Sequence, residues 1–380
     1  CKWKKQIMQI NQDRMVQTFL ELVSIDSPSK RERLLADRLT QSLREIGLDV
    51  LEDEAGSQIG GNCGNLFATW KTGDDLPPLL FCAHMDTVQP AKGKRAVLDP
   101  DGTIHSAGDT VLGADDLSAI TAILEAIRTI KESGKQHRNI ELLFSVSEET
   151  YCVGASAFDF SLVTAKEGYV LDYEGAQGQA AIAAPSILHF KAELFGKASH
   201  AGFAPEQGIN AISAAVNAVS KIQTGRIADG LTLNIGKING GLLTNIVPEY
   251  CVVEGEIRSV DHQTALALAE RVQGTFQSAS DAFRAKLSFS CECLVRAYSV
   301  SESSSVVQRY FNVCRKRGYP TECVQTLGGS DNNVLAAHGI PGIVVASAMH
   351  ACHSCSEYTT VEELTQLTEI VMDLMLDSHT

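Results

Sequence analysis

Residues 78–86, PLLFCAHMD, join an almost continuous apolar run to a histidine and an aspartate at its end. An apolar run without alternation is typical of a strand that is buried on both faces, as the strands of parallel sheets are. Because His84 and Asp86 are two residues apart, we expect their side chains on one face of this strand. An isolated pair of this kind has a plain explanation, a capped strand end with an incidental histidine.

Two further segments repeat the pattern of a buried strand that ends in carboxylates, residues 139–149 (NIELLFSVSEE) and 167–175 (EGYVLDYEG). Apolar residues at helical spacing predict helices over residues 14–25 and 116–130. Helices and strands that alternate in this way indicate a largely parallel sheet covered by helices. Such a sheet presents functional groups at the C-terminal ends of its strands.

The pattern changes near residue 185, where strands with alternating apolar and polar residues begin. Strands and helices then follow in the order βαββαβ, which fits a small two-layer domain with one sheet face open. We therefore predict an α/β protein. Its mostly parallel-sheet catalytic domain, with helices on both faces, comprises residues 1–184 and 297–380, and a smaller α+β domain, residues 185–296, interrupts it.

The size and charge of the chain exclude several classes of protein. With 380 residues the chain is long enough for two domains. Its net charge of -14 argues against nucleic acid or anionic membranes as partners. No apolar run approaches the roughly 18 residues that span a bilayer, and residues 339–349 are interrupted by Gly and Pro.

The eleven cysteines and the start of the chain bear on the location of the protein. An odd number of scattered cysteines is not a disulfide framework. The basic start, residues 1–14, leads into an amphipathic stretch rather than the apolar core of a signal peptide. We therefore expect reduced thiols in the cytoplasm. Because residue 1 is Cys rather than Met, we also expect that the natural chain begins earlier.

Several carboxylates in these segments also have local explanations. Asp115 and Asp116 precede the helix over residues 116–130, where an aspartate is an ordinary N-cap. Glu148 and Glu149 could form a solvated turn, and Asp172 could form another. Adjacent side chains point to opposite sides, however, so the two glutamates could also do two different jobs.

The local explanations weaken when the segments are taken together, because each delivers a carboxylate or an imidazole to the same edge of one sheet. Oxygen ligands mixed with imidazole suit Zn²⁺, Mn²⁺ or Co²⁺. Two such ions lie about 3.5–4 Å apart in hydrolases with a two-metal site. The pattern therefore favours a metal-dependent hydrolase.

Seven motifs occur in the order and spacing of a known family: HMDTV, GADDLSA, SEETYCVGA, LDYEG, GKASHAG, GGSDNNV and HACHSCSEYTT. The chain resembles, over essentially its whole length, the two-zinc exopeptidases. That family includes peptidase T, glutamate carboxypeptidase G, cytosolic dipeptidases and the acetylornithine and succinyl-diaminopimelate deacylases. The segments LGADD and SEET are most similar to peptidase T.

The resemblance implies two divalent metal ions, zinc before manganese or cobalt. His84 and Asp172 would bind one metal, and Asp115 would bridge to the second, whose ligands would be completed by Glu149 and His353. Glu148 would be the general base that deprotonates the bridging water, and Asp86 would orient His84. The peptide between Asp115 and Asp116 is expected to be cis.

The resemblance also assigns roles to the inserted domain. This domain would act as a lid and form a homodimer, and His200 would reach the partner's site and stabilise the oxyanion. No GxSxG segment surrounds Ser199 and His200, so a serine triad is rejected. Asn245 and Arg258 would bind substrate, although a surface ion pair with a nearby glutamate explains Arg258 equally well.

Two other segments are open to more than one interpretation. Ser330 and Asp331, in GGSD (328–331), would face the substrate, or the segment is simply a turn. Residues 117–119 are Leu, Ser and Ala where the family commonly has Lys and Gly, which leaves the exact substrate open.

The stretch MHACHSCSEY (349–358) allows a Cys/His zinc knot, a CxxC redox pair or a single metal ligand. No second CxxC lies at zinc-ribbon spacing, and Ser356 rules out a CxxCH haem motif. A redox pair would need a helix start of the thioredoxin type, whereas this stretch follows a strand. His353, followed four residues later by Glu357, matches the last ligand motif of the family, so Cys352 and Cys355 are interpreted as packing residues.

The resemblance extends to the reaction. Peptidases of the family tend to carry Asp at the position of Asp172, where the deacylases carry Glu. We therefore predict a metal-dependent exopeptidase that removes the N-terminal residue from short peptides. The alternatives are a carboxypeptidase, an N-acyl amino acid amidohydrolase on the same scaffold, or an inactive metal-binding homologue. The partners expected are a short peptide and a second copy of the chain.

Overall fold

The computed structural model describes residues 9–73 and 76–377. Residues 1–8 of the basic start (1–14), residues 74–75 and the last three residues lie outside the described part. The chain divides into two compact units. The larger comprises the described parts of Cys1–Ala183, Ser299–Gln325 and Ser330–Thr380, and the smaller comprises Ala184–Tyr298 and Thr326–Gly329. Among the described residues, every helix is too short or too polar to cross a membrane.

The helices of the described residues are named in chain order. They are α1 (Gln12–Val23), α2 (Arg33–Glu45), α3 (Ala55–Ile59), α4 (Ala114–Ser133), α5 (Val153–Ser156), α6 (Ala211–Val219), α7 (His262–Phe283), α8 (Ser305–Lys316), α9 (Asp331–Ala337) and α10 (Val361–Leu376). Short 3-10 turns lie at Glu148–Thr150, Phe160–Leu162 and Pro205–Gln207.

The strands are named in the same way. They are β1 (Asp49–Glu52), β2 (Leu66–Trp70), β3 (Leu79–His84), β4 (Ala96–Leu98), β5 (Thr103–Ser106), β6 (Ile140–Ser145), β7 (Glu167–Glu174), β8 (Gln179–Ala184), β9 (Ser186–Phe195), β10 (Gly225–Ala228), β11 (Leu231–Gly240), β12 (Tyr250–Ser259), β13 (Lys286–Val295), β14 (Tyr298–Ser299), β15 (Glu322–Gln325), β16 (Gly342–Ser347) and β17 (Tyr358–Thr360).

The main sheet of the larger unit runs in the order β1-β2-β6-β3-β7-β16-β8. Its centre is parallel, since β6, β3, β7 and β16 all run in one direction. Antiparallel strands flank this centre, β2 against β6 and β8 against β16. The predicted α/β class with a mostly parallel sheet is confirmed.

Alternate residues of the central strands enter two different apolar cores, one on each face of the sheet. In β3, Leu79 and Phe81 join the larger core, to which α1, α2, α4 and α10 contribute. Leu80 and Cys82 join a smaller core on the other face, which Leu335 of α9 also enters. Burial of both faces explains why this strand is apolar throughout. Because β6 and β7 both pair parallel with β3, the C-terminal ends of the three strands lie at one edge of the sheet.

The smaller unit contains an antiparallel sheet of order β10-β11-β12-β9-β13, with α6 and α7 packed on one face. Alternate residues of β9 and β12 are buried, which is the pattern of a sheet with one open face. The strand β10 was not predicted, because its four residues are mostly exposed and do not alternate. The predicted limits, 185 and 296, differ slightly from those of the compact unit, 184 and 298, and the unit also includes Thr326–Gly329, which the prediction placed in the catalytic domain.

A third sheet of the described residues, in the larger unit, consists of the short strands β17, β5 and β4. It was not predicted either, since each strand has only three or four residues. Tyr358 of β17 pairs with His105 of β5, which anchors the end of the His353 segment.

Candidate metal centre

His84 ends the buried strand β3 and is 2% exposed. Its Nδ1 lies 2.8 Å from the main-chain oxygen of Asp86, and its Nε2 lies 2.9 Å from Oδ1 of Asp115. Oδ1 of Asp172, at the end of β7, is 3.9 Å from the same Nε2. With Nδ1 held by a carbonyl, Nε2 is the ring nitrogen directed at the carboxylates.

Asp115 lies at the kinked start of α4, where Asp115 and Asp116 have non-helical backbone angles and the peptide between them is cis. Its two carboxylate oxygens face different histidines. Oδ1 faces His84, and Oδ2 lies 3.2 Å from Nε2 of His353. Although burial opposes ionisation, His353 and His84 hold the pKa of Asp115 below its usual range. This is the arrangement expected of a carboxylate that bridges two cations.

Glu149 and His353 approach Asp115 from two separate segments. Nε2 of His353 lies 3.0 Å from Oε1 of Glu149. The imidazole is partly exposed and lies in the loop between β16 and β17, where its backbone has a φ of 61°. The neighbouring carboxylates of Asp115 and Glu149 raise the pKa of His353 to about 10.

Glu148 is buried and lies next to Glu149 in the 3-10 turn Glu148–Thr150. Ligand atoms of His84, Glu148 and Asp172 lie within 4.8 Å of one another. Burial raises the pKa of Glu148 well above its usual range, and the charge of Asp172 adds to this effect. Its Oε1 accepts a weak hydrogen bond from Sγ of Cys152 at 3.3 Å.

Asp86 supports the turn that carries both glutamates. Its carboxylate accepts hydrogen bonds from the amides of Glu148 at 2.9 Å and Glu149 at 3.2 Å, and from the hydroxyl of Ser29 at 2.7 Å. The same carboxylate lies 3.5 Å from Nδ1 of His84, farther than the main-chain oxygen of Asp86 does. The strand β3 ends at His84, so Asp86 lies in the following loop and not on the strand face that its spacing predicted.

The residues of this cluster fit two divalent cations. One group of three donors comprises His84, Glu148 and Asp172, and another comprises His84, Asp115 and Glu149. Burial and the charge of Asp115 raise the pKa of Asp172 well above its usual range, so these carboxylates repel one another. Divalent cations would offset that repulsion, and imidazole with carboxylate oxygens is a donor set suited to Zn²⁺, Mn²⁺ or Co²⁺.

Comparison with known proteins identifies the family of the chain. The M20 peptidase dimerisation domain matches residues 182–283, and the model of peptidase family M28 matches residues 65–212. The uncharacterized protein YqjE of Bacillus subtilis is 36% identical over 366 residues, covering 96% of this chain and 98% of the relative.

Two crystal structures are similar over almost their whole length. Aminopeptidase PepT from Bacillus cereus has 36% identity and a TM-score of 0.89, with 96% of this chain and 98% of that chain covered. A tripeptidase from Staphylococcus aureus has 31% identity and a TM-score of 0.92 at the same coverage. The chain belongs to the M20 peptidase family.

Membership of the M20 family confirms the predicted resemblance and the predicted class, a metal-dependent exopeptidase. The match to a dimerisation domain coincides with most of the smaller unit.

His200 and Asn245, which were predicted to act on the substrate, both lie in the smaller unit. His200 is exposed, and its Nδ1 accepts hydrogen bonds from the amides of Gly202 at 3.1 Å and Phe203 at 3.2 Å. Asn245 is also exposed, and its main-chain oxygen accepts a hydrogen bond from the amide of Ala201 at 3.0 Å. The two predicted residues therefore lie on adjoining loops.

Arg258 forms the ion pair that was its alternative explanation. Its Nε lies 2.6 Å from Oε1 of Glu256, and its second terminal nitrogen lies 3.1 Å from Oε2. The remaining terminal nitrogen donates to the main-chain oxygen of Leu327 at 2.8 Å. This bond joins Thr326–Gly329 to the smaller unit. Two guanidinium nitrogens of Arg258 already bind the carboxylate of Glu256. A role of Arg258 in binding a substrate carboxylate stays a prediction.

The M20 chain places Ser330 and Asp331 inside the larger unit. Ser330 caps α9. Asp331 is 1% exposed, and its carboxylate accepts a hydrogen bond from the hydroxyl of Ser145. Its ligand atom also lies within 4.8 Å of those of Glu148 and Cys152. Contact of Asp331 with substrate stays a prediction that its surroundings do not support.

The histidines and cysteines of residues 349–358 have different surroundings. His350 lies 2.7 Å from Oε1 of Glu363 and stacks on Tyr358, which makes it a structural residue. In the described residues, none of His353, Cys352 and Cys355 belongs to a group of three donors that could hold a metal, and His353 differs from the cysteines in its contacts with Asp115 and Glu149.

Sequence reasoning gave no individual role to two buried glutamates near the centre. Glu357 accepts hydrogen bonds from the amides of Gly113 and Asp115. Glu32 accepts hydrogen bonds from the amide and hydroxyl of Ser147, just before Glu148. Both contacts join residues that are far apart in the sequence, so no local sequence pattern indicates them. The motif around His353 contained Glu357, but gave no indication of what it binds.

Proposed function

We propose that this protein is a two-metal exopeptidase that removes the N-terminal residue from short peptides such as tripeptides. The observation that carries the proposal is the position of Asp115, one of whose carboxylate oxygens faces His84 and the other His353. The aminopeptidase and tripeptidase named among its structural relatives support the choice of substrate.

The metal-holding residues of the proposal are those of the sequence prediction. His84 and Asp172 would hold one ion, Glu149 and His353 would hold the other, and Asp115 would contribute to both. Zinc is the proposed ion because imidazole and carboxylate ligands suit it. When bound, the two ions would supply Lewis-acid polarisation of the scissile carbonyl and would lower the pKa of the attacking water.

Glu148 performs the proton transfers of the proposed reaction. A carboxylate with a raised pKa can accept a proton near neutral pH, and burial beside Asp172 raises the pKa of Glu148. Glu148 takes the proton of the attacking water and delivers it to the nitrogen of the leaving amine. Asp86 holds the amides of Glu148 and Glu149, so the base and the adjacent ligand keep a fixed separation.

The smaller unit has two proposed roles, formation of a homodimer and delivery of His200 to the partner's site. The match to a peptidase dimerisation domain supports the first. The exposure of His200 is compatible with the second. We also propose the cytoplasm as the location, which the free cysteines of the described residues support.

A panel of peptides tests the proposed reaction. The zinc-loaded protein is incubated with a free tripeptide, the same tripeptide acetylated at its N-terminus, and the same tripeptide amidated at its C-terminus. We expect cleavage of the first and third, with release of the N-terminal residue. Cleavage of the acetylated peptide from its C-terminus would instead establish a carboxypeptidase, and cleavage of none of the three would contradict the proposal.

A further inference from the structure

Glu357 is a charged residue buried between two segments of the metal centre. It is 1% exposed and lies directly before β17, four residues after His353. Its main-chain oxygen accepts a hydrogen bond from the amide of Ser106 in β5 at 3.4 Å. The backbone at this position is therefore attached to the small sheet, and the side chain is directed inwards.

The carboxylate of Glu357 binds the loop that leads into α4. Its Oε2 accepts a hydrogen bond from the amide of Gly113 at 2.7 Å, and its Oε1 accepts one from the amide of Asp115 at 2.9 Å. Amides at the start of a helix have no partner within the helix, so an acceptor from outside is needed. Both oxygens of Glu357 are used in this way, and Glu357 is absent from the metal-type groups of the described residues.

We propose that Glu357 is a positioning residue that fixes the position of the bridging Asp115 relative to His353. Glu357 holds the backbone of Asp115 through one hydrogen bond, while its own segment carries His353, whose Nε2 lies 3.2 Å from Oδ2 of Asp115. One side chain thus fixes the separation of two ligands that lie 238 positions apart in the numbering. The inference rests on the proposed function, in which both residues hold the second metal.

A buried lysine lies beside the loop that Glu357 binds. Lys94 is 2% exposed, and its Nζ lies 3.3 Å from Oγ1 of Thr87. A Cβ added to Gly113 would lie only 3.0 Å from this Nζ, which places the ammonium group against the loop that Glu357 binds. Burial lowers the pKa of Lys94 to about 8, and the charges of Glu357 and Asp26 oppose that shift. The buried ammonium group of Lys94 therefore lies beside the loop that Glu357 binds.

The test compares metal binding in Glu357→Gln and Glu363→Gln. The glutamine retains one acceptor but directs an NH₂ group at the second amide, so one hydrogen bond is lost. Glu363 lies in the same part of the chain and contacts His350 and Thr360 but not the Asp115 loop, which makes it the matched control. Stepwise titration of the metal-free proteins with Co²⁺ is followed by calorimetry and by the visible absorption of the bound ion.

We expect Glu357→Gln to weaken the second metal-binding step by about 10–100-fold, the usual effect of losing a residue that orients a ligand. The Co²⁺ spectrum should change, and kcat for the tripeptide should fall with little change in KM. Glu363→Gln should resemble the wild type in all three measurements. Two Co²⁺ ions bound by Glu357→Gln with wild-type affinity and spectrum would overturn the proposal.

A second variant keeps the test decisive if Glu357→Gln does not fold. Glu357→Asp preserves the charge but shortens the side chain, so we expect a smaller weakening of the same step. Wild-type binding by this variant would also overturn the proposal. The binding measurement does not depend on turnover. A wild type that binds two ions but cleaves no peptide would contradict the proposed function and leave the role of Glu357 measurable.

Discussion

The carboxylate of Asp86 accepts a hydrogen bond of 2.9 Å from the main-chain amide of Glu148. This bond connects the loop that follows His84, the last residue of β3, to the turn after β6. That turn carries the proposed base, Glu148. A second bond, from the amide of Glu149, connects the same carboxylate to the adjacent proposed ligand. Asp86 is therefore placed to set the geometry of the base and of the metal ligand together.

Replacing Asp86 by Asn should disturb the positions of both Glu148 and Glu149. The asparagine has one acceptor oxygen where the carboxylate has two, so a buried amide donor loses its partner at a cost of about 1–3 kcal/mol. We expect Asp86→Asn to lower metal affinity by about 10–100-fold and to reduce kcat as well. Metal titration and steady-state kinetics measure the two effects.

Ser29→Ala is the control for Asp86, since it removes the bond from the hydroxyl and leaves both amide bonds in place. It should change metal affinity and kcat much less. Equal effects of the two substitutions would mean that the amide contacts have no special importance.

The segment around His353 predicts different results for its histidine and its cysteines. His353→Asn should reduce bound metal from two ions per chain to one, because Nε2 is the donor nearest to Asp115 and Glu149 on this segment. The double substitution of Cys352 and Cys355 by Ser should leave both ions bound. Elemental analysis of the purified variants measures the metal content, and a loss of metal in the cysteine variant would contradict the assignment.

The buried carboxyl group of Asp331 should make the stability of the folded protein depend on pH. Burial raises the pKa of Asp331 from 3.8 to about 6, although the hydroxyl of Ser145 opposes this shift. The folded protein therefore keeps a proton that the unfolded chain has lost. Ionising this carboxyl costs stability as the pH rises from about 4 through 6, by an amount on the order of 3 kcal/mol.

Asp331→Asn cannot ionise, so its melting temperature relative to the wild type should be higher at pH 7.5 than at pH 4. Thermal melting of the metal-free proteins measures this difference. Asp159→Asn, at an exposed position where hydrogen bonds from Ser161 lower the pKa of the carboxyl, should not show the same trend. Parallel curves for Asp331→Asn and the wild type would contradict the assignment.

The sequence predicted the α/β class because the strands that form the centre of the sheet are buried on both faces. The apolar run before His84 is such a strand, and its carboxyl end marks one edge of the site. The strands of the small third sheet were not predicted, since three or four partly exposed residues leave no period to detect.

The contacts that support the site were less accessible to sequence reasoning. The pairing of Glu357 with Gly113 and Asp115 spans more than 240 residues, and no local pattern reports it. The motif GGSD marked Asp331, but motif spacing does not tell an exposed side chain from one that is buried against Ser145. Sequence patterns identified residues of interest, whereas their partners depend on the fold.

The central claim is that Glu148 is the base of a two-metal exopeptidase, and a comparison of two adjacent substitutions tests it most directly. We predict that Glu148→Gln keeps two metal ions per chain and loses tripeptide turnover by about 10²–10⁴-fold. Glu149→Gln, by contrast, should bind one ion fewer. Metal content and kcat are measured on the same preparations. Wild-type turnover by a metal-loaded Glu148→Gln protein would contradict the claim.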